Sequence, residues 1–234
     1  TPTSPDRATA TLKAHEEAFA QLGLQGAFSR VRGLVVQPGL EFAPTHIDHF
    51  PMESADNLSS VLAAYPELCF EAHSTDYQNT EVYGELAKRH FAILKVGPAL
   101  TFAWREALYA LSHVMVWMQG STHISEVMEG LMTDAPDAWK GHYHGEPEEQ
   151  SLLRHFGYAD RIRYYWTLPK ALDAVRDLKR GFDATEPPLP LLSQYFPHET
   201  LKCAGKLDLP PATALLVAHV QMALKPYFGF DLEC

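Results

Sequence analysis

The sequence predicts an α/β fold built on a parallel sheet, and three observations carry that prediction. Short apolar runs at Val31–Val36, Leu68–Phe70 and Phe91–Val96 recur about thirty residues apart, the spacing of successive strands in β-α-β units. Segments of helical periodicity lie between them. After the third run, Leu100, Trp104, Ala107, Leu108, Leu111, Met115 and Met118 repeat at three- and four-residue intervals, the stripe of a long amphipathic helix.

Taken in order, Ser4-Pro5 reads as an N-cap followed by proline at the first helical position. Ala8, Leu12, Phe19 and Leu22 then share one face, and Gly23 offers a stop. With no methionine before this cap, the chain is expected to begin mid-architecture. Val31–Val36 is a buried strand closed by Pro38-Gly39, followed by a loop with His46, Asp48 and His49. Leu58, Val61 and Leu62 mark a helix that ends before Pro66, and Val82 to Leu86 mark another before the third strand. Beyond about Gly120 the pattern becomes short helices punctuated by Pro136, Pro147, Pro169 and the Pro187–Pro190 run, with no strand expected.

Composition excludes several functions. Nineteen basic against 29 acidic residues give a net charge of −10, which argues against capture of nucleic acid or anionic lipid, so any phosphate site must be local. No stretch approaches the roughly 18 apolar residues of a membrane helix, and no signal segment opens the chain. Cys69, Cys203 and Cys234 are widely spaced, suggesting neither a disulfide framework nor a cysteine zinc site, and a reducing cytoplasm is expected.

In parallel α/β folds, ligands sit beyond the carboxyl ends of the strands. Strand two ends in Glu71-Ala72-His73-Ser74-Thr75-Asp76-Tyr77-Gln78, unusually polar for a buried strand. Alternation sends Glu71 and His73 to the same side, where they suit a metal or a proton relay, or alternatively a hydrogen-bonded polar layer. Zinc needs about three protein ligands, and only His73 is well placed. Lys95 ends an apolar strand, where a cation needs a carboxylate such as Glu71 or an anionic ligand. Gly97, followed by a helix opening near Thr101, can present N–H groups to phosphate, although the full P-loop pattern is absent. His46 with His49, and His142 with His144, read as solvated or locally bonded histidines, and Arg161 to Trp166 as a helix packing its aromatics. No G-x-S-x-G elbow is present, which ranks hydrolases low.

FEAHSTDYQ (Phe70–Gln78), HFAILKVGPALTFAWREAL (His90–Leu108) and DRIRYYW (Asp160–Trp166) resemble the GatZ/KbaZ family. So do VVQPGLEF (Val35–Phe42), WKGHYHG (Trp139–Gly145) and LPLLSQYFP (Leu189–Pro197). This is the accessory, non-catalytic subunit family of D-tagatose-1,6-bisphosphate aldolase. The resemblance implies a TIM-type (β/α)8 barrel similar to class II aldolases, of which this chain would hold the C-terminal strands. Residues 1–118 would be barrel units and 119–234 a helical extension packed on them.

It further implies a catalytic class II aldolase subunit as partner, a sugar phosphate as ligand, and zinc or another divalent metal as cofactor. By position, His73 resembles a metal ligand, Glu71 and Lys95 catalytic groups, and Ser74, Gly97 and Thr101 phosphate contacts. The glycines of the aldolase phosphate loop are replaced here by Ser74-Thr75-Asp76, and Gly97 replaces an asparagine, so the scaffold is kept and the chemistry altered. The implied function is support of the aldolase. The alternative is a metal-dependent aldolase or epimerase in its own right, and a tagatose-6-phosphate kinase ranks below both because no P-loop is present.

Overall fold

The computed structural model describes residues 1–228, which divide into two compact units, 1–97 and 98–228. In the first unit α1 (Pro5–Gln21) begins as the cap predicts, with Ser4 Oγ accepting from the Arg7 N–H. The short α2 (Gln25–Phe28) leads to β1 (Gly33–Val35), a hairpin of β2 (Glu41–Phe42) and β3 (Ile47–Asp48), and β4 (Cys69–Ala72). Then come α3 (Thr80–Lys88) and β5 (Phe91–Leu94).

The three longer strands form the expected parallel sheet in the order β1-β4-β5, with Leu34 opposite Phe70 and Phe70 opposite Phe91. Phe70 and Ala72 lie under one face with Leu34, Val36 and Phe91, packed with Ala8 and Leu12 of α1 and Val82 and Leu86 of α3. Each fully buried Leu, Val or Phe in such a layer stabilises the fold by about 1.5–3 kcal/mol. The other face carries Glu71 and leaves Val35 and Ile93 exposed, at 53% and 42%. A register shift opposite Phe70/Glu71 inserts Ala92 as an extra residue, so Phe91 faces the core whereas Ile93 lies beside Glu71.

Three expectations are corrected here. The first and third strands are shorter than their apolar runs, because the Val31 N–H closes a turn on Phe28 and the β5 ladder ends at Leu94. The loop holding His46 and Asp48 contains the β2–β3 hairpin. Leu58–Ala64 is a 3-10 helix, so the β1-to-β4 crossover holds no α-helix.

The second unit is helical. It comprises α4 (Pro98–Gln119), α5 (Ile124–Asp134), α6 (Pro147–Phe156), α7 (Pro169–Asp183), α8 (Leu189–Tyr195), α9 (His198–Ala204) and α10 (Pro211–Leu224). Among described residues 98–228 no strand occurs. Prolines read as punctuation prove to be helix starts: Pro147 and Pro169 occupy the first turn of α6 and α7, where the missing N–H costs nothing. The predicted stripe of α4 buries Ala107, Leu108, Leu111 and Met115 against α10, α7, α8 and α5. Helix α4, which the sequence reading groups with the barrel units, therefore packs within the helical unit. α10 is apolar on most sides and buries Ala212, Ala214, Leu215, Leu216 and Ala218.

Cys203 is 1% exposed, packed within the helical unit. Cys69 is free, and Cys234 lies outside the described residues. No helix among the described residues is long and apolar enough to cross a membrane.

Candidate functional site

Glu71 is on the half-exposed face of β4 and His73 immediately follows the strand. As period-two alternation predicts, their side chains meet, His73 Nε2 lying 2.7 Å from Glu71 Oε1. An ionised carboxylate only accepts, so Nε2 carries the proton and His73 Nδ1 is left with its lone pair. Glu71 thus pairs with His73 rather than with Lys95. Among the described residues the Lys95 ammonium makes no ion pair and is exposed, while the Lys95 backbone N–H donates to the Ala72 carbonyl at 2.9 Å.

The segment after His73 is tightly fixed. Ser74 and Tyr77 adopt left-handed backbone conformations, with φ of 56° and 61°, which cost a non-glycine residue on the order of 1 kcal/mol each. Neighbouring bonds hold them there. Thr75, fully buried, donates from Oγ1 to the Lys95 carbonyl at 2.9 Å, and Tyr83 Oη donates to the Thr75 carbonyl at 3.1 Å. Gln78 Oε1 accepts from the Phe50 N–H at 2.9 Å. Asp76, 1% exposed, turns inward and accepts from the Gly97 N–H at 2.9 Å. That bond occupies the very N–H group expected to meet phosphate, and it also draws the Asp76 charge away from the strand-end surface.

The unit therefore gathers Glu71, His73 and Ser74 on one strand end, with Lys95 and Gly97 on the segment after β5. Thr101 belongs to the second unit, where its hydroxyl donates to the Pro98 carbonyl at 3.1 Å. Among the described residues no group of three or more His, Cys, Asp or Glu side chains could hold a metal ion. Glu71 and His73 supply two donors, short of the three protein ligands of a catalytic zinc, so no step is routed through a metal. His46 and Asp48 are exposed and 4.0 Å apart, and His142 and His144 are exposed. In the Arg161–Trp166 stretch Ile162, Tyr165 and Trp166 are buried, with Arg163 stacked on Tyr164 at 4.5 Å.

Sequence reasoning missed a buried polar cluster in the helical unit. Arg105, 2% exposed, donates from Nε to Asp160 Oδ1 at 2.9 Å, and Asp160 holds φ at 44°. Burial raises the Asp160 carboxyl above its usual range, against the pull of Arg105 and the Thr101 hydroxyl. Nearby, Tyr109 Oη donates to His155 Nδ1 at 2.5 Å, and His155 Nε2 donates to Glu129 Oε2 at 3.0 Å. Arg154 also binds Glu129. The one legible signal was Arg105, a charge set inside an otherwise apolar helical stripe.

This cluster sets a pH dependence. Burial lowers His155 and His123 below the usual imidazole value, while the Arg154 hydrogen bond holds Glu129 below the usual carboxylate value. In each case the unfolded chain takes up a proton before the folded one does. Stability is then fully present above an imidazole pKa of about 6.5, and falls as pH drops through the His range and again below about 4.5. Asp160, raised rather than lowered, acts in the opposite sense at lower pH, so the decline is read through the imidazole range: urea midpoints should fall from pH 8 to about pH 6, and a midpoint that rose over that interval would contradict this assignment.

A family model for the D-tagatose-1,6-bisphosphate aldolase subunit GatZ/KbaZ-like proteins matches residues 1–229. The chain belongs to this family. Among curated relatives, this GatZ/KbaZ-like chain is 46% identical over 230 residues to the D-tagatose 6-phosphate 4-epimerase of Agrobacterium fabrum (strain C58 / ATCC 33970). The match covers 97% of this chain and 53% of that protein, so the chain spans about half the length of the curated relative. Among solved structures, the crystal structure of a probable tagatose 6 phosphate kinase from Sinorhizobium meliloti 1021 superposes with a TM-score of 0.92 at 42% identity. That match covers 98% of this chain and 60% of the other.

Proposed function

We propose that the protein is a ketohexose-phosphate 4-epimerase that works by reversible carbon–carbon cleavage. The observation carrying this reading is the hydrogen-bonded Glu71–His73 pair at the end of β4, in a chain 46% identical to a protein named as such an epimerase. In a 2-ketohexose phosphate the C4 hydroxyl is β to the C2 carbonyl. His73 Nδ1 takes the O4 proton, and the C3–C4 bond breaks. Its electron pair passes to the C2 carbonyl as an enediolate, leaving an aldehyde at C4. Rotation of the aldehyde and re-addition to its other face inverts C4 and returns the proton. Glu71 stabilises the imidazolium formed in between. The Lys95 ammonium balances the charge of the phosphate or the enediolate, and Ser74 offers a hydroxyl to the phosphate. Gly97, its N–H held by Asp76, and Thr101, in the other unit, are given no part.

The same bond cleavage is the chemistry of an aldolase, which relates the family's description to the relative's name. In this reading the exposed sheet face with Val35, Glu71 and Ile93 is the inner face of a TIM-type barrel. A second reading, favoured by the family's description as an aldolase subunit, makes the protein an accessory that supports a catalytic class II aldolase. A kinase reading lacks the glycine-rich P-loop that cradles nucleotide phosphates.

One experiment separates the two main readings. The full-length protein is incubated alone with D-tagatose 6-phosphate, with metal content measured in parallel. Appearance of D-fructose 6-phosphate supports the epimerase. No product alone, together with higher aldolase activity when the catalytic subunit is added, transfers the function to the accessory role.

A further inference from the structure

Within the helical unit lies a cavity of about 520 Å³, walled by Phe102, Tyr109, Phe156 and Tyr195 and lined also by Arg105 and His113. Arg105 is 2% exposed, and its guanidinium stacks 4.1 Å from the Phe102 ring centroid. Its Nε is held by Asp160, but its Nη2, equally buried, has no hydrogen-bond partner among the described residues, and neither has Asp160 Oδ2 across the same ion pair. A desolvated guanidinium with an open donor costs free energy unless an acceptor reaches it. Asp160 is kept in a left-handed conformation beneath it, a second local cost at the same place.

Most other donors around the cavity are committed. His123 Nε2 donates to the Tyr109 carbonyl, and His123 Nδ1 accepts from the Ser125 N–H at 3.2 Å. Tyr109 and His155 are joined to each other and to Glu129. Trp117 Nε1 donates to Tyr195 Oη. Glu106, a carboxylate on the lining, lies 3.4 Å from His219. Three donors remain: Arg105 Nη2, the Tyr195 hydroxyl, which accepts from Trp117 and donates to no partner among the described residues, and the exposed ring of His113, which stacks on Tyr195 at 5.1 Å and 10° and makes no hydrogen bond among the described residues.

We propose that this cavity is a second ligand site, distinct in residues from the strand-end pair, that binds a small oxyanion through Arg105 and His113. The shared chemistry is a carboxylate or a phosphate group carried on an apolar or planar body that suits the aromatic walls. The fork of Arg105 supplies the charge-assisted bond, and His113 closes the rim.

Isothermal titration calorimetry tests this on the full-length protein carrying Lys95→Ala, which removes the cation of the strand-end site from the measurement. Inorganic phosphate and acetate are titrated separately in a chloride buffer. One-site saturable binding is expected in at least one arm, and the responding arm identifies the oxyanion. His113→Phe preserves the stack on Tyr195 but removes the donor, and should weaken that binding about tenfold. No saturable binding in either arm, or equal affinity with and without His113→Phe, overturns the proposal. Because the epimerase assay reads product formation on the unsubstituted protein, failure of one leaves the other standing.

Discussion

Replacing Arg105 with methionine should lower the unfolding free energy by about 3–5 kcal/mol, the largest stability effect expected of any single substitution here. The cause lies less in the lost attraction than in what remains. The Asp160 side chain is fully buried, and without the guanidinium its carboxyl must either stay charged in an apolar setting or take up a proton on folding. Adding Asp160→Asn should restore most of the loss, because asparagine is uncharged and tolerates φ of 44° better than most residues. Urea denaturation of the single and double variants is the measurement. A single substitution costing under about 1 kcal/mol would show that the pair contributes little, as exposed ion pairs do.

For activity, the largest effect should come from Glu71→Gln. If His73 is the base, losing the carboxylate that fixes its tautomer and stabilises its imidazolium should reduce kcat of the full-length protein by about 10²-fold or more. His73→Ala should fall by a similar factor. The double variant should be little worse than either single one, since the two side chains act as a unit. Additive losses would mean that they act independently, and undiminished turnover in both would remove them from the chemistry.

The sheet was legible because Val31–Val36, Leu68–Phe70 and Phe91–Val96 are apolar runs bounded by turn residues at β-α-β spacing. The Glu71–His73 contact was legible for a simpler reason, since a strand places residues two apart on one side. The β2–β3 hairpin was not, because two-residue strands are too short to show alternation. Nor was the extra residue at Ala92, which depends on the neighbouring strand rather than on local composition. The partner of α4 was equally hidden: an apolar stripe says that a face is buried, without saying against what. The polar cluster draws on Arg105, Glu129, Arg154 and Asp160, residues so separated in sequence that only the packed helices bring them together.

The loop after His73 carries a consequence for kinetics. Ser74 and Tyr77 are held in left-handed conformations by bonds from Thr75, Asp76 and Gln78 that are complete without any ligand. A molecule arriving there meets backbone that is already ordered, so its binding need not bear the entropy of organising the loop. Its association rate should then follow diffusional encounter and scale with solvent viscosity, and differences in affinity between related ligands should appear mainly in how slowly they leave.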